Sequence, residues 1–360
     1  MAQSPKPRLA TLLFTLLFSL VTVTANSKSG SKTITVEPGT SIQNAIGSAK
    51  PGSTIVIEPG KYYEQLLVTT SGLIITAKPG VVLLPPSNFS ANPCSNLAGN
   101  GTEAGICIAG KDILFADFVT EHRKVRQVGR YIQDVKVEGF EVDGFGLNIA
   151  VVGAKNAEVR KNIVYDGAAY GILTVGSKSS LITRNTVHSA DLKYIAICMD
   201  DKSDVHVTQN VISDYMIGLC VQTNDADVGH NKVNNTCFGI YVDPGVDGAK
   251  VTHNHVSSAN PLCQPFFSGF AGGILISGAT NSEVRHNAVS GITDFGNVNL
   301  TASGIAVVDS PDPKAVASGN QVTHNTVLGN DVDLLVVATG KNEVAHNKCA
   351  SSIPVGVCSQ

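Results

Sequence analysis

Tryptophan is absent from the 360 residues, and only 15% of them are charged. With so few charges and 35 glycines, the chain does not fit a bundle of solvated amphipathic helices. It fits many short strands joined by turns. Net charge is −3 and no basic block stands out, so nucleic acid is not an expected partner. Beyond the first 25 residues no apolar run is long enough to cross a bilayer as a helix.

The one long apolar run opens the chain. Lys6 and Arg8 precede an uncharged stretch from Leu9 to about Val23, and small residues follow to Ala25. That order is the pattern of a secretory signal peptide cut after Ala25. A membrane anchor is the alternative, weakened by the shortness of the run. The expected layout is a signal at 1–25 and one domain at 26–360, released into the secretory pathway or outside the cell as a monomer. Eight cysteines beyond the signal fit an oxidising route. Proximity pairs Cys94 with Cys107 and Cys349 with Cys358, leaving Cys198, Cys220, Cys237 and Cys263 open. Four N-x-S/T sequons begin at Asn88, Asn100, Asn234 and Asn299, as in a glycosylated protein.

From residue 149 one theme recurs. An apolar tetrad is followed by a polar turn and a short second strand ending in Asn: "EVRKNIV", "LITRNTV", "HVTQNVI", "DVGHNKV", "KVTHNHV", "EVRHNAV", "QVTHNTV", "EVAHNKC". The asparagines are Asn162, Asn185, Asn210, Asn231, Asn254, Asn287, Asn325 and Asn347, at steps of 23, 25, 21, 23, 33, 38 and 22 residues. A period in this range means a solenoid. The tetrads, such as "ILTV", "ICMD", "LCVQ" and "IYVD", place positions one and three in a continuous buried column once the coils stack in parallel. Several begin just after a glycine (Gly171, Gly218, Gly239, Gly273, Gly304). Asparagine suits the turn because it tolerates the left-handed conformation, and its amide can bond both neighbouring coils.

On these repeats the chain resembles the right-handed parallel β-helix family, the pectin-lyase-like superfamily. The opening "SIQNAIGSAKPGSTIVIEPGKYYEQLLV" is similar to that family's N-terminal cap, a short helix covering the open first coil. The resemblance implies an all-β, right-handed parallel β-helix with its cap at about 33–60 and coils at about 61–350.

Chemistry is expected on the outward positions of the tetrads. Position four reads Val152, Val175, Asp200, Gln222, Asp243, Ser277, Val308 and Val337, polar only in the middle coils. Asp200 and Asp243, two coils apart, should lie about 10 Å from each other with Gln222 between them, near the upper end for an inverting carboxylate pair. The expected catalytic set is Asp200, Asp201, Asp243, Lys202 and Tyr241. Gln222, Asn224, Lys250 and Arg123 are the expected substrate contacts. Asp200, Asp201 and Asp225 form a candidate oxygen site for Ca²⁺. Lys193 and Tyr194 are further candidates for base and proton donor. The basic run "EHRKVRQVGR" offers His122, Arg123, Lys124 and Arg126 to an anion, although a solvated loop explains it equally simply.

Polygalacturonase-like members of the superfamily combine an aspartate pair with Asn-Thr-Asp, Gly-His-Gly and Arg-Ile-Lys elements. Here "MDDKSD" supplies only the pair. The expectation is therefore a lyase or epimerase acting on an acidic polysaccharide, which removes the proton α to a uronate carboxyl. Two alternatives stand beside it. One is an inert secreted binding protein. The other is an isomerase or cyclase for an apolar small molecule, raised by the apolar stripe at position two (Leu173, Cys198, Cys220, Tyr241). The recurrent histidines before the asparagines (His230, His253, His286, His324, His346) are expected to be structural, and Cys198 with Cys220 to be two packed thiols or a disulfide.

Overall fold

The computed structural model describes residues 1–2, 32–118, 120–263, 270–296 and 301–359. Apart from its first two residues, the segment expected to be a signal peptide lies outside the described residues. The chain divides into two units, Met1–Ser31 and Lys32–Gln360, and all that follows concerns the second.

The second unit is a right-handed parallel β-helix. Each coil contributes one strand to each of three parallel sheets, which hold twelve, ten and eleven strands. The asparagine-ending segments form the twelve-stranded sheet, from Thr33–Val36 to Glu343–Ala345. The tetrads form the eleven-stranded sheet, from Leu66–Val68 to Ser352–Ile353. The ten-stranded sheet lies between them in chain order. Pairing is in phase: Val175 faces Asp200, Cys198 faces Cys220, and Cys220 faces Tyr241.

Tetrad positions one and three point inward as the pattern requires. Ile197, Met199, Leu219, Val221, Ile240 and Val242 are fully buried in one core. Each such side chain contributes about 1.5–3 kcal/mol relative to exposure. The glycine column has a spatial cause, not a dihedral one. A Cβ on Gly239 would stand 2.4 Å from Val256 Cγ1 and 2.5 Å from the Gly273 carbonyl, and Gly171, Gly218 and Gly273 meet the same obstacles.

The asparagines form a ladder. Asn231 donates from Nδ2 to Asn254 Oδ1 at 3.0 Å, and Asn254 does the same to Asn287 at 3.1 Å. The left-handed conformation expected of them belongs instead to the preceding residue: Lys161, Arg184, Gln209 and the five histidines have φ between 54° and 58°. The asparagine amide can then aim along the axis while its neighbour absorbs the turn. The histidine rings stack outside this column, 4.9–5.5 Å between centroids.

The helix α1 (Ile42–Ser48) closes the first coil with Ile42 and Ile46 buried. Glu64 accepts from the Ile42 and Gln43 backbone N–H groups, neutralising the helix start. The Gln43 side-chain amide bonds both the N–H and the carbonyl of Leu67, so it occupies the open strand edge.

The apolar stripe at position two is covered, and the outward valines with it. Leu173, Cys198, Cys220, Val152 and Val175 are fully buried in a second core with Leu97, Val125, Tyr170 and Ile195. The cover comes from Cys94, Leu97 and an antiparallel hairpin of Lys111–Phe115 with Val125–Arg130. Val152 and Val175 therefore do not face solvent as expected. Disulfides join Cys94 to Cys107, Cys237 to Cys263 and Cys349 to Cys358, while Cys198 and Cys220 are buried free thiols. Among the described residues no helix is long and apolar enough to cross a membrane.

Candidate active site

A cleft of about 710 Å³ opens where the covering loop ends, above the tetrads of the middle coils. Glu121, His122 and Lys124 line it from the loop. Tyr194, Gln222, Tyr241 and Asp243 line it from the sheet, and Asn224 and Asp312 from turns.

Loop and sheet are joined by one continuous polar chain. His122 lies with Nδ1 3.0 Å from the Tyr170 hydroxyl and Nε2 3.2 Å from Asp200 Oδ2. Lys124 Nζ is 3.2 Å from the same carboxylate oxygen and also donates to Gln222 Oε1. Gln222 Nε2 donates to Glu121 Oε2 and to Asp243 Oδ2, both at 2.6 Å. The far oxygen of Asp243, Oδ1, is buried with no hydrogen-bond partner.

These surroundings set the two aspartates apart. Burial and then the neighbouring Glu121 push the Asp243 carboxyl up to about 8, only partly opposed by the Gln222 amide. It therefore holds its proton at neutral pH. Asp200 is paired with a cation instead. Burial disfavours the charge on Lys124, yet Asp200 outweighs it and holds the ammonium above its ordinary range. Burial also pushes Tyr241 up to about 12 and raises Tyr194 further, so both keep their hydroxyl protons.

Of the catalytic and substrate residues expected from sequence, Gln222, Tyr241, Asp243 and Asn224 line the cleft, and Asp200 is joined to it through His122 and Lys124; the further candidates Tyr194, His122 and Lys124 line it as well. The rest lie elsewhere. Asp201 turns into the helix interior, where Oδ1 accepts from the Ser177 N–H at 3.1 Å and its own N–H donates to Thr223 Oγ1 at 2.7 Å. Thr174, Ser180 and Asp201 Oδ2 are buried together there without bonds of good geometry, and burial pushes Asp201 up to about 7. Lys202 is exposed on the turn beyond, bonded through its backbone to Ser177. Lys250 stands exposed on a strand of the twelve-stranded sheet, away from the tetrads. Arg123 points away from the cleft, bonding the Ala116 carbonyl and lying 4.8 Å over the Phe115 ring.

Asp200, Asp201 and Asp225 do not converge on a calcium site. Asp201 is internal, and Asp225 occupies an exposed turn where its N–H bonds Asp247. Glu121, Cys220 and Asp243 do offer ligand atoms within 4.8 Å of one another. However, burial pushes the Cys220 thiol well above its ordinary range, and Cys198 beside it raises it further. That is a packed thiol, not a thiolate ligand.

Glu121 was not foreseen at all, and Lys124 and His122 were foreseen only as anion contacts. They sit in an insertion without repeat phase: Lys124 and Glu121 are 98 and 101 residues from the Gln222 they touch, and His122 is 78 from Asp200. A smaller cleft of about 300 Å³ by the cap is lined by Gln43 and Glu64, whose polar groups are already used in closing the first coil.

Comparison with known proteins agrees with this architecture. The family model described as the right-handed β-helix region matches residues 95–256, and that of the periplasmic copper-binding protein NosD matches residues 193–356. No curated protein matches the sequence. Among solved structures, the family 28 exopolygalacturonase of Yersinia enterocolitica superposes with a TM-score of 0.58 at 14% identity, covering 89% of this chain and 75% of that one. The alginate lyase of Paenibacillus sp. str. FPU-7 gives 0.53 at 16%, covering 90% and 96%. The DFA-IIIase of Arthrobacter chlorophenolicus A6 in complex with GF2 gives 0.53 at 15%, covering 83% and 86%. At such identities the likeness is one of fold. The protein is a right-handed parallel β-helix.

Proposed function

We propose that the protein is a secreted carbohydrate-active enzyme that hydrolyses a glycosidic bond in this cleft. The observation that carries the proposal is the pair of unlike carboxyl groups flanking Gln222. Asp243 is buried, next to Glu121 and pushed up to about 8; Asp200 is salt-bridged to Lys124. A carboxyl that keeps its proton beside a second carboxylate held by a salt bridge is an arrangement that acid–base cleavage of a glycoside can use.

In this scheme Asp243 gives its proton to the departing sugar oxygen. Asp200 takes a proton from the attacking water, with Lys124 and His122 fixing its orientation. Two coils separate the aspartates, about 10 Å between α-carbons. Inversion at the anomeric carbon is the outcome expected if their carboxyl groups stand about 6.5–9.5 Å apart, with room for a water. The rings of Tyr194 and Tyr241 supply flat surfaces for sugar faces. No step uses a metal ion.

A lyase or epimerase acting on an acidic polysaccharide is the second reading, favoured by the Lys124 ammonium, which could neutralise a uronate carboxyl. Glu121, Asp200 and Asp312 weigh against it, because they repel an acidic sugar unless each is offset. The test is a panel of neutral and acidic polysaccharides assayed both for new reducing ends and for absorbance near 235 nm. Reducing ends with a flat absorbance trace, the reducing ends being lost in Asp243→Asn, support hydrolysis. A rising trace establishes elimination and overturns the proposal. Silence on every polymer would favour a non-catalytic binding protein.

A further inference from the structure

The edge where the twelve- and ten-stranded sheets meet lies apart from the cleft and has a different character. The residue just before each ladder asparagine points into solvent. Across eight coils this column contains Lys161, Arg184, the five stacked histidines and the neutral Gln209, all exposed. The column just after the asparagines adds Lys232, His255 and Lys348, also exposed. Neither column holds an aspartate or glutamate in any of the eight coils. In a protein of net charge −3 this is a concentrated basic strip. Sequence windows do not show it, because each coil contributes only one or two of its members.

The neighbouring charges reinforce the strip. Arg285 and Arg160 flank it from the twelve-stranded sheet and are already paired with Glu283 and with Glu138 and Glu158. Asp227 is engaged by His206, and Glu343 stands exposed at the far end. At neutral pH the strip carries its four Lys and Arg charges. Imidazole is the side chain that gains charge between pH 8 and 5, so acidification adds up to six more. The histidines stack at 4.9, 5.1, 5.5 and 5.4 Å, so the added charges form a line with one step per coil. For His253, burial and then His230, His286 and Arg285 hold the ring below its ordinary range. Bound negative charge would relieve that repulsion and draw protons in.

We propose that this strip is a binding surface for a linear polyanion whose carboxylates recur at about the 5 Å coil spacing, a polyuronate, engaged as the imidazoles become charged. The strip is one residue wide and runs along the axis, which fits an extended chain. A lipid surface would require a broad patch with apolar side chains to insert. Many weak charge pairs in register act together, which makes such a strip effective where single exposed pairs are not. The proposal does not depend on the chemistry of the cleft. It would hold the protein on an acidic matrix and release it as pH rises.

The test measures binding of the full chain to polygalacturonate at low salt, at about pH 5 and about pH 7.5, where the uronates stay ionised and the imidazoles change. Neutral galactan and phosphatidylserine vesicles are the comparison ligands. The key variant is His253→Gln/His286→Gln/His324→Gln. Glutamine is compatible with the site, since Gln209 occupies the same place at φ 58°. The expected result is binding at least about tenfold tighter at the lower pH, with proton uptake. The triple variant should lose this gain and Asp243→Asn should keep it. Lys232→Gln/Lys348→Gln should weaken binding at both pH values while leaving the pH dependence intact. Equal affinity at the two pH values would overturn the proposal, as would a triple variant that keeps the gain, or binding to vesicles but not to polygalacturonate.

Discussion

Replacing Asn254 with alanine removes four hydrogen bonds from the middle of the ladder. Its Nδ2 donates to the Val228 carbonyl at 2.9 Å and to Asn287 Oδ1 at 3.1 Å, and its Oδ1 accepts from the Asn231 backbone N–H and Nδ2, both at 3.0 Å. Asn254 is 1% exposed, so water cannot take over these roles. The Asn231 N–H is left buried and unpaired and the Val228 carbonyl loses its side-chain donor, while Asn231 Nδ2 keeps the Val207 carbonyl at 2.8 Å. At about 1 kcal/mol for each bond, with more where a buried group is stranded, the expected loss is about 3–6 kcal/mol. Guanidinium unfolding followed by circular dichroism reads this directly, as a midpoint shift if the coils do not unfold in one step. Asn254→Asp keeps the acceptor but aims a carboxyl at two oxygens. Its pKa should rise on folding, so this variant should lose stability as pH rises. A loss below about 1 kcal/mol for Asn254→Ala would refute the claim that the ladder holds the coils in register.

Gly239→Ala forces a methyl against the Gly273 carbonyl and Val256, so a loss of about 1–3 kcal/mol is expected in the same assay. Asp201, pushed up to about 7, keeps a proton in the folded state that the unfolded chain releases near 4. Its contribution to stability is complete below about pH 4 and is lost as pH rises through 7. Asp201→Asn retains an acceptor for the Ser177 N–H and should flatten this part of the stability–pH curve, whereas an unchanged slope would show that the group does not titrate there.

The coil was legible in the sequence because its constraints repeat: one asparagine and two inward apolar side chains recur in every turn, and a glycine in most. What does not repeat was not legible. Cys94, Leu97 and the hairpin of Lys111–Phe115 with Val125–Arg130, which bury the apolar stripe, have no phase relation to the coils, so Leu173, Cys198 and Cys220 looked like an exposed surface. The same loop delivers Glu121, His122 and Lys124 to a cleft about a hundred positions away in sequence. Asp200 and Asp201 looked alike as neighbours, yet strand alternation and the turn send one to the cleft and the other into the core. The left-handed residue was misplaced by one position because composition favours asparagine there, whereas the ladder needs the asparagine amide elsewhere.

The central claim is that the cleft keeps one carboxyl protonated beside another that is salt-bridged, and it can be tested without a substrate. Carbon-13 NMR of the aspartate carboxyl carbons, followed across pH and assigned by the resonance missing from Asp243→Asn, measures the Asp243 titration. A midpoint up at about 8 is the expected result. A midpoint near 4, the ordinary value for aspartate, would leave the cleft without its proton donor and contradict the proposed hydrolysis.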